Sequence, residues 1–365
     1  MRSSVLEPTS PAWRDTLARC RHDCYHTPGW HTAAERSDHG SAAAVLVRDG
    51  AHELLVPLVR RPIGCGSWDA TSAYGYGGPV LSTDVPAGFA EEALGAALAL
   101  LRECGCVSWF IRLHPLLNAD WDSRLGLVVD QGETVSVDLT KSAEQLWHET
   151  QARHRQGINR ARRAGVSARL DRDFARLPRF IALYNATMAR LGALPYYFFD
   201  TQYYRTLVRA LGDDLLLFVA EEDGCMLGAA LFTVARGTGI MQYHLSAWDW
   251  AYRHLQPTKT VIHAAREWGR TNGLRYLHLG GGLGSVKDSL YEFKRGFSHD
   301  THVYRTQRLV VNPDRYVALS GGDKATLYDL GGFFPAYRRP GARFGPPQAD
   351  AGDNVPALAA FKTGT

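Results

Sequence analysis

The sequence predicts an α/β protein that consists of two similar domains, each a mixed sheet flanked by helices. The chain has 365 residues, a length that suits two domains of moderate size. Hydrophobic residues make up 45% and charged residues 21%, as in ordinary globular proteins. One order of elements also occurs twice: a strand, an Asp-Gly turn, a returning strand, a later helix and a further strand. This repeat indicates two domains of one architecture, although Asp-Gly hairpins are common enough to recur by chance.

The elements of the two copies are justified by the same local signals. Alternating or continuous apolar runs predict strands, Asp-Gly predicts a hairpin turn, and apolar residues at helical spacing followed by glycine predict a helix and its end. The first copy has strand 43–47, turn Asp49-Gly50, strand 53–59, helix 88–103 and strand 107–113. The second copy has strand 215–220, turn Asp223-Gly224, strand 226–234, strand 240–247, helix 258–271 and strand 275–279.

The boundary between the two domains is expected near Thr140. Residues 134–139 alternate like a strand, and Ser142 with Gln145 three residues on forms a capping box. A helix is predicted from there to about Ala164, where Gly165 ends it. We therefore expect domains at 1–139 and 140–337, followed by a flexible tail at 338–365 that is rich in Pro, Gly and Ala.

Charge and cysteine content limit the function classes. The net charge of +4 and the pI of about 8.7 permit an anionic substrate without requiring nucleic acid. None of the six cysteines forms a Cys-x-x-Cys pair, so we expect reduced thiols and no metal site. The first thirty residues lack an apolar signal-peptide core, and no apolar run approaches membrane-spanning length. These features predict a cytoplasmic protein.

The densest chemical signal is the segment 277–297, in which a predicted strand ends in three glycines and a helix follows. Glycines at a strand end let a ligand approach the backbone, and a helix start offers N–H groups to an anion or a developing oxyanion. Ser285 and Asp288 suit the helix start, and Lys294 is expected to flank the buried stripe of that helix. The alternative interpretation is a structural turn followed by an exposed lysine.

The run Phe293-Lys294-Arg295-Gly296-Phe297 resembles the phenylalanine-lysine-x-glycine-phenylalanine motif of Fem peptidyltransferases. The resemblance implies two GNAT-like domains and transfer of an aminoacyl group from aminoacyl-tRNA to an amine, without cofactor or metal. It also implies that Lys294 stabilises charge in the transition state, with Phe293 as its packing neighbour.

Two departures from that family bear on the acceptor. Residues 179–192 form a single predicted helix of ordinary length, so the long helical arm of several Fem enzymes is absent. The residues that contact the uridine-diphosphate group in the family have no match in the first half of this chain. The acceptor is therefore left open between a peptidoglycan precursor and an amine of a natural-product (antibiotic) pathway.

An acyl-CoA-dependent N-acyltransferase of GNAT fold is the alternative. Such enzymes hold the CoA pyrophosphate on a glycine-rich turn before a helix, here the helix predicted to start near Thr258. Residues 253–259 contain no glycine, and Pro257 removes one amide, although Thr258 or Lys259 could help. This counts against acetyl-CoA as the donor. A non-catalytic protein that binds RNA or another ligand is a third hypothesis.

Further candidate residues flank this segment or precede it. The loop 68–79 carries Trp68, Tyr74 and Tyr76, which are candidates for substrate contact. Strand alternation places Tyr243 on one face and Gln242, His244 and Ser246 on the other. His244, His278 and Asp288 are the candidate bases, whereas amides near Gly281, Gly282 and Ser285 could hold an oxyanion.

Arginine is concentrated between residues 153 and 179. The strip could contact tRNA phosphates, for which the candidate residues are Arg155, Arg160, Arg162 and Arg163. A solvated helix face is the alternative explanation of the same charges.

Overall fold

A computed structural model of the protein describes residues 1–64 and 66–339. Cys65 and the predicted tail from residue 340 onward lie outside these residues. The strands in chain order are β1 (Arg2–Leu6), β2 (Ser41–Asp49), β3 (His52–Gly64), β4 (Ser67–Thr71), β5 (Val80–Leu81), β6 (Cys106–Arg112), β7 (Leu127–Asp138), β8 (Ser167–Leu170), β9 (Leu215–Glu222), β10 (Cys225–Ala235), β11 (Ile240–Trp248), β12 (Tyr276–Gly280) and β13 (Asp300–Val310).

The α-helices in chain order are α1 (Pro11–Leu17), α2 (Pro28–Ala34), α3 (Phe89–Glu103), α4 (Ala143–Glu149), α5 (Ala152–Arg163), α6 (Leu177–Arg190), α7 (Thr201–Leu211), α8 (Pro257–Thr271), α9 (Ser289–Arg295) and α10 (Pro313–Leu319). Two short 3₁₀ turns, at Trp250–Leu255 and Leu283–Ser285, precede α8 and α9. Within the described residues, none of the helices has the length and apolar character needed to cross a membrane.

Contacts divide the described chain into two compact units that are not contiguous in sequence. The first unit comprises residues 1–131, 202–210 and 303–339, and the second comprises residues 132–201 and 211–302. The division predicted at Thr140 therefore differs from the division by contacts. The chain passes into the second unit at Gly132, inside β7, and returns to the first unit inside β13.

In the first unit, β1, β2, β3 and β4 pair as consecutive antiparallel neighbours. β4 then pairs in parallel with β6, after the crossover that contains α3. β6 pairs with β13 in antiparallel orientation, so a strand from the end of the second half of the sequence completes this sheet. α7 is also supplied from the second half of the sequence. A Cβ on Gly29 of α2 would lie 2.3 Å from Cβ of Ala210, so only glycine permits this approach.

The second unit has the same pairing order. β8, β9, β10 and β11 are consecutive antiparallel neighbours, and β11 pairs in parallel with β12 after the crossover that contains α8. β7 completes the sheet by pairing antiparallel with β12. The prediction of an α/β fold in which one arrangement of strands and helix occurs twice is therefore confirmed.

Each unit has a core that follows from its strand sequences. Continuous apolar strands such as β2 and β10 are buried along most of their length, as expected for strands covered on both faces. In the second unit α8 packs Val261, Ile262 and Ala265 into this core at helical spacing. The Asp-Gly hairpins predicted between β2 and β3 and between β9 and β10 are present, with Gly50 at φ 58° and Gly224 at φ 75°.

The helix predicted from Ser142 to Ala164 is wrong in one respect. The capping box of Ser142 and Gln145 is present, but α4 ends at Glu149 and α5 begins at Ala152. The break is stabilised by tertiary hydrogen bonds. The buried Arg266 guanidinium donates to Oγ1 of Thr150 at 2.8 Å, and the amide of Gln151 donates to the carbonyl of Gly296 at 2.9 Å. These partners are far away in sequence, so local helix signals could not reveal the break.

Candidate active site

The parallel strands β11 and β12 separate part-way along their length in the second unit. They are paired only from Ile240 with Tyr276 to Gln242 with His278, and β11 then continues to Trp248 without β12 beside it. The separation leaves the second half of β11 and the loop after β12 free to carry side chains that serve a site. Tyr243 stands at the point where the pairing ends.

A β-bulge at this point changes the expected faces of β11. Leu245 pairs with Leu231 and Tyr243 with Phe232, so His244 is the extra residue. The bulge reverses the alternation, and Tyr243 donates from its hydroxyl to Oγ of Ser246 at 2.5 Å. The prediction that Tyr243 and Ser246 lie on opposite faces is therefore wrong, because a one-residue bulge shifts every later side chain to the other face.

Lys294 of α9 is buried, with 8% of its side chain exposed. Its ammonium donates to the carbonyl of Gly281 at 2.6 Å and lies 5.9 Å from the ring centroid of Tyr243. Burial lowers the pKa of Lys294 to about 8, and the charge of Asp288 opposes that shift. The sequence prediction that Lys294 flanks the buried stripe is wrong, since Lys294 is more buried than Phe293.

The other residues of the Phe-Lys-x-Gly-Phe run pack around a buried histidine. The His154 ring lies 5.2 Å from the Phe293 ring and 4.8 Å from the Phe297 ring, and Nε2 of His154 bonds the carbonyl of Phe293 at 2.9 Å. A Cβ on Gly296 would lie 2.3 Å from Nε2 of His154, so this position requires glycine. The two phenylalanines and the glycine thus position α9, and the lysine remains as the chemical group of the run.

Asp288, rather than Ser285, caps α9. One carboxylate oxygen of Asp288 accepts from the amide of Tyr291 at 2.9 Å, and the other accepts from the amide of Leu283 at 3.1 Å. Ser285 instead ends the 3₁₀ turn with φ 64°. Because its oxygens hold two backbone amides, Asp288 is positioned to fix the loop beside Lys294.

The glycine loop is shaped by close backbone contacts. A Cβ on Gly281 would lie 2.8 Å from the carbonyl oxygen of Glu133, and one on Gly282 would lie 2.1 Å from the carbonyl oxygen of Val286. The loop offers Lys294 a carbonyl rather than an amide, which differs from the arrangement of oxyanion-holding amides predicted from the sequence. The glycines are therefore explained by the compactness of the loop.

The two candidate histidines are both buried near the point where the strands separate. Burial lowers the pKa of His244 to about 3, which leaves it neutral and weakly basic at physiological pH. His278 is fully buried, and its Nδ1 lies 2.6 Å from Oε1 of Gln242, at the last paired position of β11 and β12.

The loop predicted to contact substrate lies in the first unit. Tyr76 packs edge-on against Tyr25 and Tyr304, and the Trp68 indole donates to the carbonyl of Cys104 at 2.7 Å. The backbone carbonyl of Tyr74 accepts from the indole of Trp30 at 2.8 Å. Each of these interactions stabilises the loop, so the loop aromatics have packing roles whether or not they contact a substrate.

The predicted tRNA-binding arginines differ in their surroundings. Arg155 donates to three backbone carbonyls at the end of α4, those of Trp147, His148 and Thr150. Arg162 and Arg163 are exposed and donate to Asn159 of the preceding turn. Arg160 is exposed, and its charge helps to lower the pKa of Lys259 at the start of α8.

Sequence reasoning missed several residues that the structure brings to this region. His154 gave no signal, because its partners lie on α9, more than a hundred residues later. Glu133 accepts from the hydroxyl of Tyr291 at 2.5 Å and from Lys287 at 2.8 Å, which ties α9 and its entry to the middle of β7. In the described part of the chain, His, Cys, Asp and Glu side chains form no group of three or more that could hold a metal ion.

Comparison with known proteins agrees with this fold. Residues 148–295 match the family model described as an acetyltransferase (GNAT) domain. The solved structure of FemX covers 87% of this chain and 99% of its own, with a TM-score of 0.66 and 15% identity. No curated protein sequence matches the chain.

Two further solved structures have the same fold at lower similarity. The C-terminal domain of a putative lysylphosphatidylglycerol synthetase from Agrobacterium fabrum covers 84% of this chain and 93% of its own, with a TM-score of 0.53 and 15% identity. L-PGS from Bacillus licheniformis gives the same coverage and identity with a TM-score of 0.51.

The second unit therefore carries a GNAT acetyltransferase domain, and the protein is an acyltransferase. Its fold is Fem-like, as the FemX similarity shows, and the resemblance seen at residues 293–297 is confirmed at the level of the fold.

Proposed function

We propose that this acyltransferase makes an amide bond by transferring an aminoacyl group from aminoacyl-tRNA to an amine acceptor. The observation that carries the proposal is Lys294, a buried ammonium on α9 that faces Tyr243 where β11 and β12 separate. We assign Lys294 the catalytic role, and we assign Tyr243 and Phe293 contacts with the substrate beside the reacting carbonyl. Aminoacyl-tRNA is found in the cytoplasm, where the enzyme would work.

The chemistry needs no covalent enzyme intermediate. The acceptor amine attacks the ester carbonyl of the aminoacyl group, and the carbonyl oxygen becomes an oxyanion. The ester C–O bond then breaks, and the tRNA ribose oxygen leaves with the proton that the amine loses. The Lys294 ammonium would stabilise the oxyanion in a dry environment, where a single charge has a large effect.

The candidate bases have different prospects in this mechanism. His244 is neutral, but its lowered pKa makes it a weak proton acceptor. Asp288 already accepts from two backbone amides and is better suited to positioning the loop of Gly281 and Gly282. We therefore propose that positioning and charge stabilisation supply most of the rate, and that the ester itself provides the activation.

The first unit repeats the strand order of the second, and we infer that both are GNAT-like domains. Trp68 lies on β4 rather than in the predicted loop, and Tyr74 and Tyr76 follow β4, which occupies the place in the first unit that β11 occupies in the second. We propose that these aromatics contact the acceptor, either a natural-product intermediate or a peptidoglycan precursor.

The test is a parallel transfer assay with two donors. Purified protein is incubated with tRNA charged with labelled amino acids or with labelled acetyl-CoA, and a cell extract supplies acceptors. We expect label from tRNA in an RNase-resistant, base-stable product. The substitution Lys294→Ala should reduce this transfer by about 100- to 1000-fold, as removal of one oxyanion-hole donor does.

A matched control is Lys287→Ala, because Lys287 is exposed in the same segment and pairs with Glu133. Its transfer rate should stay within about twofold of the wild-type rate, as is usual for a surface ion pair. Full activity of the Lys294→Ala variant with a folded circular-dichroism spectrum would contradict the proposed role.

A second candidate is an acyl-CoA-dependent N-acyltransferase, which the family match over 148–295 favours. The entry to α8 argues against it. Gln256 has φ 54° without being glycine, Pro257 has no amide hydrogen, and the amides of Lys259 and Thr260 already donate to the carbonyl of Gln256. Transfer from acetyl-CoA but not from charged tRNA would establish this second function instead.

A further inference from the structure

Three cations meet at the start of α8 without a carboxylate partner. They are Lys259 of α8 and Arg153 and Arg160 of α5, and we call them the cation cluster. Within residues 1–64 and 66–339, none of the three forms an ion pair with an acidic side chain. Burial, and after it the charges of Arg153 and Arg160, together lower the pKa of Lys259 to about 8.

Arg153, Gly157 and Arg160 lie at positions i, i+4 and i+7 of α5 and therefore share one face of this helix. Gly157 faces Lys259, and a Cβ at this position would lie 3.2 Å from Cδ and 3.4 Å from Nζ of Lys259. The absence of a side chain therefore lets α5 approach the start of α8 closely. Like charges held together repel one another, and an anionic ligand would offset that repulsion.

An aromatic and cationic surface lies on the turn before α8. Trp250 is 45% exposed, and the guanidinium carbons of Arg190 and Arg253 lie 4.4 Å and 4.7 Å from its ring centroid. Arg190 also lies 5.2 Å from the ring centroid of Trp248. We call Trp250, Arg190 and Arg253 the Trp250 platform. Nucleic-acid bases stack on aromatic rings and on guanidinium planes alike.

The cation cluster and the Trp250 platform are neighbours within the second unit. α5 packs against the turn Trp250–Leu255 that carries the platform, and Gly157 faces Gln256 at the end of this turn as well as Lys259. A chain of phosphates and bases could therefore contact both. Neither feature is used by the reaction at Lys294 as described above.

We propose that this surface binds the unpaired 3′ end of the donor tRNA, with phosphates on the cation cluster and a base against the Trp250 platform. The inference rests on the proposed transfer from aminoacyl-tRNA, and it names the residues that would bind the tRNA. Other arginines of the strip are less suited, because Arg169 and Arg176 pair with Glu221 and Arg155 holds the end of α4.

Phosphates joined to a planar base also occur in CoA, so the two ligands share a chemistry. The two ligands differ in the protein groups that bind them. A CoA pyrophosphate in this fold depends on free amides at the helix start, and the amides of Lys259 and Thr260 are occupied. Side-chain cations and an exposed indole suit a single strand of RNA, whose backbone charge is spread over several phosphates.

The experiment measures RNA binding apart from catalysis. A fluorescein-labelled single-stranded RNA that ends in CCA and carries no amino acid is titrated with the wild-type protein. Fluorescence anisotropy is followed over a series of salt concentrations. The double variant Arg160→Ala/Lys259→Gln should lose at least about tenfold in affinity, and its salt slope should fall by about 1.5, as loss of two phosphate contacts predicts. Trp250→Ala should weaken binding about 5- to 100-fold with an unchanged salt slope.

The control is Arg236→Ala, because Arg236 is an exposed arginine of the second unit that pairs with Asp214. Its affinity and salt slope should match the wild-type values. Equal RNA affinity of the double variant and the wild type would overturn the inference, even if transfer from charged tRNA is intact. Binding of CoA in place of RNA would overturn it too, whereas the proposed function itself fails only if charged tRNA is not a donor.

Discussion

Lys294 is deeply buried, and within residues 1–64 and 66–339 its ammonium has one hydrogen-bond acceptor, the carbonyl of Gly281. Its pKa of about 8 lies well below the usual 10.5 because burial disfavours the charged form. Folding therefore opposes protonation of Lys294, and below about pH 8 the protein carries an ammonium that costs about 3 kcal/mol to keep charged. Retaining such a group against this cost is typical of functional sites.

The charge on Lys294 predicts a specific pH dependence. If the ammonium stabilises the oxyanion, activity requires the protonated form, and the contribution of Lys294 should be lost as pH rises through about 8. Lys294→Arg keeps its charge throughout, so the ratio of wild-type to variant kcat should be constant below pH 8 and fall above it. Single-turnover rates from about pH 6 to about pH 10 would measure this ratio. A ratio that rises with pH up to about 8 and levels off above it would show instead that Lys294 acts as a base.

Substitution can also separate two possible roles of Asp288, namely capping of α9 and acceptance of a proton. Asn can keep the cap on the amide of Tyr291, because Asn and Asp cap helices equally well, but its single oxygen cannot also accept from the amide of Leu283. We expect Asp288→Asn to keep turnover within about tenfold, and Asp288→Ala to lose about 1 kcal/mol of stability as the caps of Tyr291 and Leu283 disappear. Urea unfolding and kcat measure the two effects. Complete inactivity of an Asp288→Asn variant that keeps wild-type stability would identify Asp288 as a proton acceptor.

At the scale of elements, α9 is positioned by the contact between its own end and α5. His154 fills the space that Gly296 leaves open, and Phe293 and Phe297 pack against the His154 ring. Because Lys294 lies one residue after Phe293, this packing sets the depth and direction of the ammonium. The β-bulge at His244 does the same for β11, since it brings Tyr243 and Ser246 to one side.

The packing at Gly296 predicts a coupled pair of substitutions. Gly296→Ala should destabilise the protein by about 1–3 kcal/mol, because the new methyl group overlaps the His154 ring. In the background of His154→Ala the same change should cost less than about 1 kcal/mol, since the ring is gone. A double-mutant cycle in urea tests this, with Gly237→Ala as the control at an open position. Additive effects would mean that the two residues are not in contact.

At the scale of the whole molecule, each unit depends on strands from both halves of the sequence. β13 completes the sheet of the first unit, and Val135 and Val137 of β7 are fully buried in the core of the second unit. Residues 316, 334 and 337, all late in the chain, also contribute buried aromatics to the first unit. The two halves of the sequence are therefore not independent folding units.

This exchange of strands predicts how fragments behave. Residues 1–139 expressed alone lack β13 and the buried aromatics of residues 316–337, and we expect no cooperative thermal transition from this fragment. Residues 140–302 lack β7 and should also fail to fold. Residues 132–302 regain the buried Val135 and Val137, and their amides should exchange more slowly than those of the 140–302 fragment. Circular dichroism and amide exchange compare the three. A fully cooperative 1–139 fragment would contradict the prediction.

The sequence by itself determined the elements and their repeat. The hairpins at Asp49-Gly50 and Asp223-Gly224, the crossover helices and the strands after them follow from local periodicity and turn chemistry. The run at residues 293–297 also identified Lys294 and the Fem-like fold, since that short pattern is contiguous in the chain. Local signals suffice for such features because their energetics involve neighbouring residues.

Only the tertiary structure decided which groups meet at the site. The packing of His154 against Phe293 and Phe297 and the cluster of Arg153, Arg160 and Lys259 join residues about a hundred or more positions apart. The burial of Lys294 depends on packing with nearer but non-adjacent residues, Gly281 and Tyr243. The bulge at His244 depends on the pairing of β11 with β10, and the break at Thr150 depends on hydrogen bonds with Arg266 and Gly296, so neither is visible in the pattern of its own element. Long-range packing fixes burial and register, and burial is what sets the pKa of the lysine on which the proposed chemistry depends.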